Sequence, residues 1–495
     1  MRNQLLVCLG LLLLSSCNPQ TENSKSPDQL TDSDSSYYKD PVEIEMEGEL
    51  PSRSSLPTLF DEMDYHQATQ AYLWALPLVS YAEWQYVQEQ YGATGNDLVM
   101  YDTYLNKLAI VTANATTPYI ISMLDLSKSG PMVIEMPAGH TAGGLGDFWQ
   151  RELTAIGEVG EDKGEGGKYL LIPPGHEAVN APGFYIVQCN MMNIFFGFRA
   201  LDPDPKAAEK LISNVKIYPY SQRDNPPQTK VISPNGNRMT ATPKDGMAYW
   251  ERLHAILQTE PVQERDRFFM AWLDNFGIKK GAPFNPSERQ KNILQEGAKR
   301  GKLMAFTNSF DKRFEDNKHW PDKNWDYVMI LRDPSQRTEN YDDFYRRASY
   351  FFEAVTYSKA MMTQEPNVGQ AYLGAYTDSD GEWFQGEKEY MLRVPANAPA
   401  LNFWSLTVYD AGTRCLIQND QQNADLSSRK DLIKNDDGSV NLYFSPNAPE
   451  GKEQNWVQTI PGKHWFAYMR FYAPTEAYFD KSWTMDDIKK STNTL

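Results

Sequence analysis

The run NFWSLTVYD (402–410) packs aromatic and β-branched side chains into nine residues and stops at an aspartate. That density suits a pleated, half-buried surface, so the run reads as a strand. Its neighbours read alike: YLGAYTD (372–378), YMLRVP (390–395), VNLYFSP (440–446) and WFAYMRFYAP (465–474). DSDG (378–381) and NDDG (435–438) supply hairpin turns between them. A second set lies upstream: PMVIEMP (131–137), KYLLIPP (168–174), FYIVQC (184–189) and NIFFGFR (193–199).

Helical grammar surrounds these blocks. DYHQATQAYLWALPLVSYAEWQYVQEQY (64–91) repeats apolar residues at helical spacing, with Pro77 expected to kink or split it. Asp204 and Pro205 open a helix at 205–214, as N-cap and first helical residue. Residues 245–310 read as helical throughout, with Asn285 as a cap and Glu288 reaching back to it. From Tyr341 to Val355 the spacing i, i+3, i+4, i+7 describes a helix with an aromatic face. Strands gathered into two blocks around a helical middle argue for an α+β fold. The expected architecture is two antiparallel β-sandwich, jelly-roll-like blocks. Its parts are an N-terminal β-rich domain at 56–235, a helical middle at 236–368 and a C-terminal β-sandwich domain at 369–495.

The first residues give an address. MRNQLLVCLGLLLLSS (1–16) has a charged start and an apolar run too short to span a bilayer, as in a secretory signal peptide. Leu14-Ser15-Ser16-Cys17 resembles a bacterial lipobox, which implies lipidation of Cys17, by palmitate for example, and cleavage before it. Asn18 follows the cysteine where the sorting rule reads aspartate as retention, so the expected location is the cell envelope, anchored to the outer membrane and facing periplasm or surface. Residues 17–55 are rich in Ser, Asp, Pro and Glu and read as a disordered acidic tether. Cys189 and Cys415 remain as thiols that an oxidising compartment could pair.

Composition removes several classes. With 41% hydrophobic and 13% aromatic residues among 495, the chain has the material for a real core. A net charge of −17 disfavours nucleic acid and anionic membrane surfaces as partners, leaving the N-terminal lipid as the membrane contact. No GxSxG elbow, P-loop or CxxC pair is present, and GEGGKY (164–169) has the wrong glycine spacing for a dinucleotide fingerprint. HEAVN (176–180) begins like a zincin helix but has Asn180 where the second histidine belongs.

Several longer strings resemble a known bacterial pairing. NATTPYIISMLDLSKSGPMVIEMPAG (114–139), GDFWQRELTAIGEVGEDKGEGGKYLLIPPG (146–175) and KIYPYSQRDNPP (216–227) resemble domain of unknown function 1254. AYLGAYTDSDGEW (371–383), NFWSLTVYDAGTRCLI (402–417), NDDGSVNLYF (435–444) and NWVQTIPGKHWFAYMRFYAPTEAYFD (455–480) resemble domain of unknown function 1214. The resemblance implies two sandwiches with helical insertions in an extracytoplasmic protein, and names no activity.

The candidate site residues come from the strand ends. Asp147 and Asp410 are the candidate catalytic acids; Trp149, Arg414 and Arg470 are the candidate substrate contacts. Asp147 beside aromatics could hold a hydroxyl or act as a buried acid. Arg414 could clamp a carboxylate or sulfate, with Asp410 within reach as its partner. Asp378, Asp380 and Glu382 alternate around a glycine turn as oxygen ligands for Ca2+ do, without a full EF-hand loop. Two readings follow. One is a hydrolase or lyase acting on a polar small molecule or glycan, with the site where the β blocks meet. The other is a non-catalytic, lipid-anchored binding or assembly protein of the envelope. The sequence leaves homo-oligomerisation open.

Overall fold

The structure, a computed structural model, describes residues 44–491 apart from 178, 203, 238–241, 363 and 364. The expected signal peptide at 1–16, Cys17 and the expected tether up to residue 43 lie outside the described residues. The chain divides into two units, residues 1–60 and residues 61–495.

In the first unit, β1 (Met46–Glu47) pairs with β2 (Leu50–Pro51), and the Ser52 and Ser54 hydroxyls donate to the Glu45 carboxylate at 3.1 and 2.9 Å. So the end of the expected tether carries a hairpin. Helix α1 follows over Leu56–Gln90. Pro77, expected to kink or split it, does not split it. The residues around Pro77 are buried on every side, and that packing outweighs the lost hydrogen bond.

Two sheets build the first block of residues 61–495. In chain order the elements are β3 (Leu98–Tyr101), α2 (Tyr104–Lys107), β4 (Tyr119–Asp125), α3 (Leu126–Ser129), β5 (Met132–Met136), β6 (Thr141–Asp147), β7 (Glu152–Gly157), β8 (Gly167–Ile172), β9 (Tyr185–Gln188), β10 (Asn193–Ala200), α4 (Pro205–Ser213), β11 (Lys216–Pro219) and β12 (Val231–Ile232). One sheet has the order β12-β3-β4-β10-β6-β7 and the other β11-β5-β8-β9. Their facing side chains alternate with period two. Ile120 and Leu124 of β4 meet Met132, Ile134 and Met136 of β5 in the sandwich core, while Ile121 and Met123 point the other way, toward α1. There Trp84 donates its indole N–H to the Tyr101 hydroxyl at 3.0 Å and Tyr81 stacks on Phe195. Asp204 caps α4 as expected, accepting from the Lys206 amide at 3.0 Å.

Gly157, at the end of β7, has φ +80°, and a Cβ there would lie 2.2 Å from the Thr141 carbonyl oxygen. Gly157→Ala is expected to cost about 1–3 kcal/mol through strain at that position. Chemical denaturation checks it, and an unchanged midpoint would contradict this account of the turn.

The middle is helical in pieces rather than throughout: α5 (Met247–Thr259), α6 (Arg267–Asn275), α7 (Glu288–Phe310) and α8 (Phe344–Glu353), with the short strand β13 (Asp326–Tyr327) between the last two. The cap of α7 is Ser287 with Gln290 completing the box, not Asn285 with Glu288. The register is displaced because the serine hydroxyl reaches the Gln290 amide while Asn285 stays outside the first turn.

The second block comprises β14 (Gln370–Ala375), β15 (Tyr390–Val394), β16 (Ala400–Asp410), β17 (Asp425–Ser427), β18 (Val440–Ser445), β19 (Trp456–Gln458), β20 (Trp465–Pro474), α9 (Glu476–Phe479) and β21 (Lys489–Lys490). The sheets are β13-β14-β20-β16-β17 and β19-β18-β15-β21. The fold is therefore α+β with two sandwiches. Pairing is antiparallel except for β3 with β12, β8 with β9 and β18 with β19, which are parallel. All ten residues of β20 are buried. Trp465 faces the other sheet, against Phe384 and Phe444, while Phe466 faces the helices, against Phe310. One hydrophobic cluster joins α1, the helical middle and the second sandwich, so the three expected segments share a core.

Candidate functional site

Asp147 closes β6, and the next strand starts five residues later. Its carboxylate accepts from the Arg151 amide at 3.1 Å and from the Arg151 Nε at 2.7 Å, and Arg151 in turn reaches Gln263 at 2.8 Å. A buried carboxylate clamped this way fixes the hairpin. Trp149 lies against Trp74, with ring centroids 4.9 Å apart, and the Arg347 guanidinium lies 5.4 Å from its ring centre. It is a core residue rather than an exposed platform.

Asp410 closes β16. Its Oδ1 accepts from the Thr413 amide and hydroxyl at 2.8 and 3.1 Å, and its Oδ2 pairs with Lys463 at 3.0 Å. The expected Asp410–Arg414 pair is not formed. Arg414 instead donates to the Gly412 carbonyl at 2.9 Å and lays its guanidinium over Phe352 at 4.2 Å. Burial lowers its pKa. The reason is local backbone: Arg414 sits at φ 59°, its amide bonds back to the Asp410 carbonyl, and its own carbonyl accepts from Thr112. Among the described residues, no hydrogen bond, ion pair or ring contact joins Asp147 or Trp149 directly to Asp410 or Arg414.

The calcium reading meets an ammonium. Asp378 Oδ1 accepts from the amides of Asp380 and Glu382, closing the turn, and Lys490 pairs with both Asp378 and Asp380 at 3.1 Å. Lys490 supplies the positive charge these carboxylates need, and among the described residues no group of three metal-ligating side chains occurs. Cys189 and Cys415 are separate buried thiols, each pushed up to about 12 by burial.

What does gather around Asp410 is a pocket of about 560 Å³. Six rings form its walls: Phe306, Phe310, Tyr376, Trp383, Trp465 and Phe466; Asp410, Lys463 and His464 supply its polar edge. Trp383 is 45% exposed, so its face is free to meet a ligand. Behind Tyr376 lies a sealed ion pair. Lys312 and Glu353, both fully buried, are 3.2 Å apart, and the Tyr376 hydroxyl accepts from Lys312 at 2.8 Å and donates to Glu353 at 2.9 Å. Burial raises the Glu353 pKa against the opposing pull of Lys312 and Tyr376. Of these residues sequence reasoning reached Asp410 alone. GKHW (462–465), the lead-in to β20, was the available signal for Lys463 and His464.

Arg470 projects from the middle of β20 on the helix-facing side. It donates to Thr407 at 3.0 Å, to the Thr112 carbonyl at 3.2 Å and to the Tyr409 hydroxyl at 2.6 Å.

Residues 95–219 match the family described as Protein of unknown function (DUF1254), and residues 369–476 match Protein of unknown function (DUF1214). Among solved structures, the chain is similar to the VPA0106 protein from Vibrio parahaemolyticus, at 17% identity and a TM-score of 0.52 over 87% of this chain and 100% of that one. It is also similar to an uncharacterised protein from Burkholderia cenocepacia, at 10% identity and a TM-score of 0.40 over 88% and 96% of the two chains. The first likeness shows a shared fold. No curated protein matches.

Proposed function

We propose that this chain, which carries the DUF1254 and DUF1214 regions in that order, is a lipid-anchored binding protein of the bacterial envelope. Its ligand is a small molecule with an apolar or aromatic body and a polar end, held in the pocket beside Asp410. The observation that carries this reading is the lining: six aromatic rings around a volume within the range of small-molecule sites, with one ion pair at the edge. Aromatic walls reward an apolar body, and Lys463 and His464 offer donors to its polar end.

A hydrolase or lyase needs a group free to give or take a proton beside the substrate. Asp147 is engaged by Arg151, and Asp410 by Lys463 and Thr413, an arrangement that suits a structural carboxylate. A thermal-shift panel of aromatic acids, medium-chain fatty acids and small sugars tests the reading, since a ligand that binds the native state raises the melting temperature. Apolar-bodied compounds are expected to raise it saturably and to be recovered unchanged; recovery of a cleaved or eliminated product would favour the enzyme instead.

Anchoring is tested separately. Cys17→Ser is expected to move the protein from the membrane fraction to the soluble envelope fraction, with loss of a fatty-acid label. Retention of the label would contradict the lipid anchor.

A further inference from the structure

We propose that Arg470, Arg199 and Lys107 form a second, separate binding site, one that takes a small singly charged carboxylate. The three come from far apart in the chain: Arg470 from the middle of β20, Arg199 from the end of β10 and Lys107 from the end of α2. They meet where residues 104–119 cover the tyrosine-bearing face of the second sandwich. Lys107 donates to the Ala115 carbonyl at 2.9 Å; the Arg199 guanidinium lies 4.9 Å from the centre of the Tyr119 ring. Arg470 has Tyr372, Tyr409 and Tyr468 around it, with ring centres 5.4–5.8 Å away.

The charge here is unbalanced. Among the described residues no carboxylate lies within ion-pair distance of any of the three, although Arg470 and Lys107 are almost fully buried. The nearby acids are engaged: Glu353 is matched by Lys312, Asp425 by Lys430, and Asp102 by Asn106 and the Thr103 amide. Burial pushes Tyr372 up to about 12, although Arg199 and Arg470 pull it down, so its hydroxyl is neutral at physiological pH. Burying several cations with no counter-charge is costly, and an anion that enters relieves that cost.

Unused donors mark the same face. Arg470 Nε has no partner, and neither do the hydroxyls of Ser405, paired directly across from Arg470 in the sheet, and Tyr468. Ser405 is fully buried and Arg470 is 3% exposed. Arg199 and residues 115–117 are half-buried and Pro118 is exposed, so this edge of the cluster lies nearest to solvent.

Three backbone carbonyls also point inward, those of Thr112, Ala113 and Ala115. They would repel a dianion more than a monoanion, and arginine forks match a planar carboxylate. None of the three cations lines the pocket beside Asp410, so the two sites can be tested apart.

The experiment titrates the purified protein with sodium benzoate, acetate, phosphate and sulfate at constant ionic strength, read by melting temperature. Binding of the neutral fluorophore N-phenyl-naphthylamine serves as the independent readout of the aromatic pocket. Benzoate or acetate is expected to stabilise saturably. Arg199→Gln is expected to weaken that response about tenfold, one hydrogen-bonded charge's worth, and to leave the fluorophore unaffected. Arg199→Lys, which keeps the charge and loses the fork, should fall between. Lys107→Met is expected to raise the melting temperature of the ligand-free protein while blunting the carboxylate response, whereas a purely structural lysine would lower it. Stabilisation no greater than chloride gives, an unchanged response in both Arg199 variants, or phosphate binding more tightly than any carboxylate would overturn the proposal.

Discussion

Lys312→Met is expected to destabilise the protein by about 3–5 kcal/mol, the range for removing one partner of a buried ion pair. Both side chains of the Lys312–Glu353 pair are fully buried, and Glu353 Oε2 already has no hydrogen-bond partner. Without Lys312, Glu353 keeps one donor, the Tyr376 hydroxyl. The carboxyl would then protonate to remain buried. Its folded pKa, raised already by burial, would rise further above the unfolded value. Between those two values the native state binds more protons than the unfolded state, so stability falls as pH rises. Urea unfolding of the variant should therefore show a lower midpoint at pH 8 than at pH 5. The double variant Lys312→Met with Glu353→Gln should recover most of the loss, because no charge is left stranded. A single variant with an unchanged midpoint would mean that the pair is hydrated.

The second large effect concerns the wall shared by the core and the pocket. Trp465 is 2% exposed and stacks on Phe384 with centroids 4.2 Å apart, with Phe444 and Tyr390 also against it. Trp465→Ala is expected to cost about 3–5 kcal/mol through lost contacts and the cavity left behind. Its indole N–H has no partner, so Trp465→Phe forfeits no hydrogen bond, leaves a smaller cavity and should cost clearly less than Trp465→Ala. Comparable losses in the two variants, measured by denaturant unfolding, would show that the ring is held by something other than packing.

The strands were legible because each is a short run of aromatic and β-branched residues cut off by turn residues. NFWSLTVYD lies within β16 and WFAYMRFYAP coincides with β20. Pro77 does not split α1 because helix rules price a proline locally, whereas α1 is packed all round there. The Asp147–Arg151 clamp was within reach of the sequence, since the partners are four residues apart at a glycine-rich hairpin. The other partnerships were not. Lys490 reaches Asp380 across 110 positions, and Lys463 displaces Arg414 as the partner of Asp410 only because the start of β20 lies beside the end of β16. Arg470 was visible as a cation in an aromatic strand, but Arg199 and Lys107 are brought to it by tertiary packing that no spacing encodes.

Ligand binding in the aromatic pocket beside Asp410 can be blocked from within. Gly412 lines it, and a Cβ there would meet only Asp410 Oδ1, at 3.3 Å. Gly412→Leu should therefore fill the space while leaving the melting temperature close to that of the wild type. The direct measurement is a fluorescence titration of N-phenyl-naphthylamine into both proteins. One saturable site in the wild type that is lost in Gly412→Leu is the predicted result; equal binding by the two proteins, or none by the wild type, would contradict it.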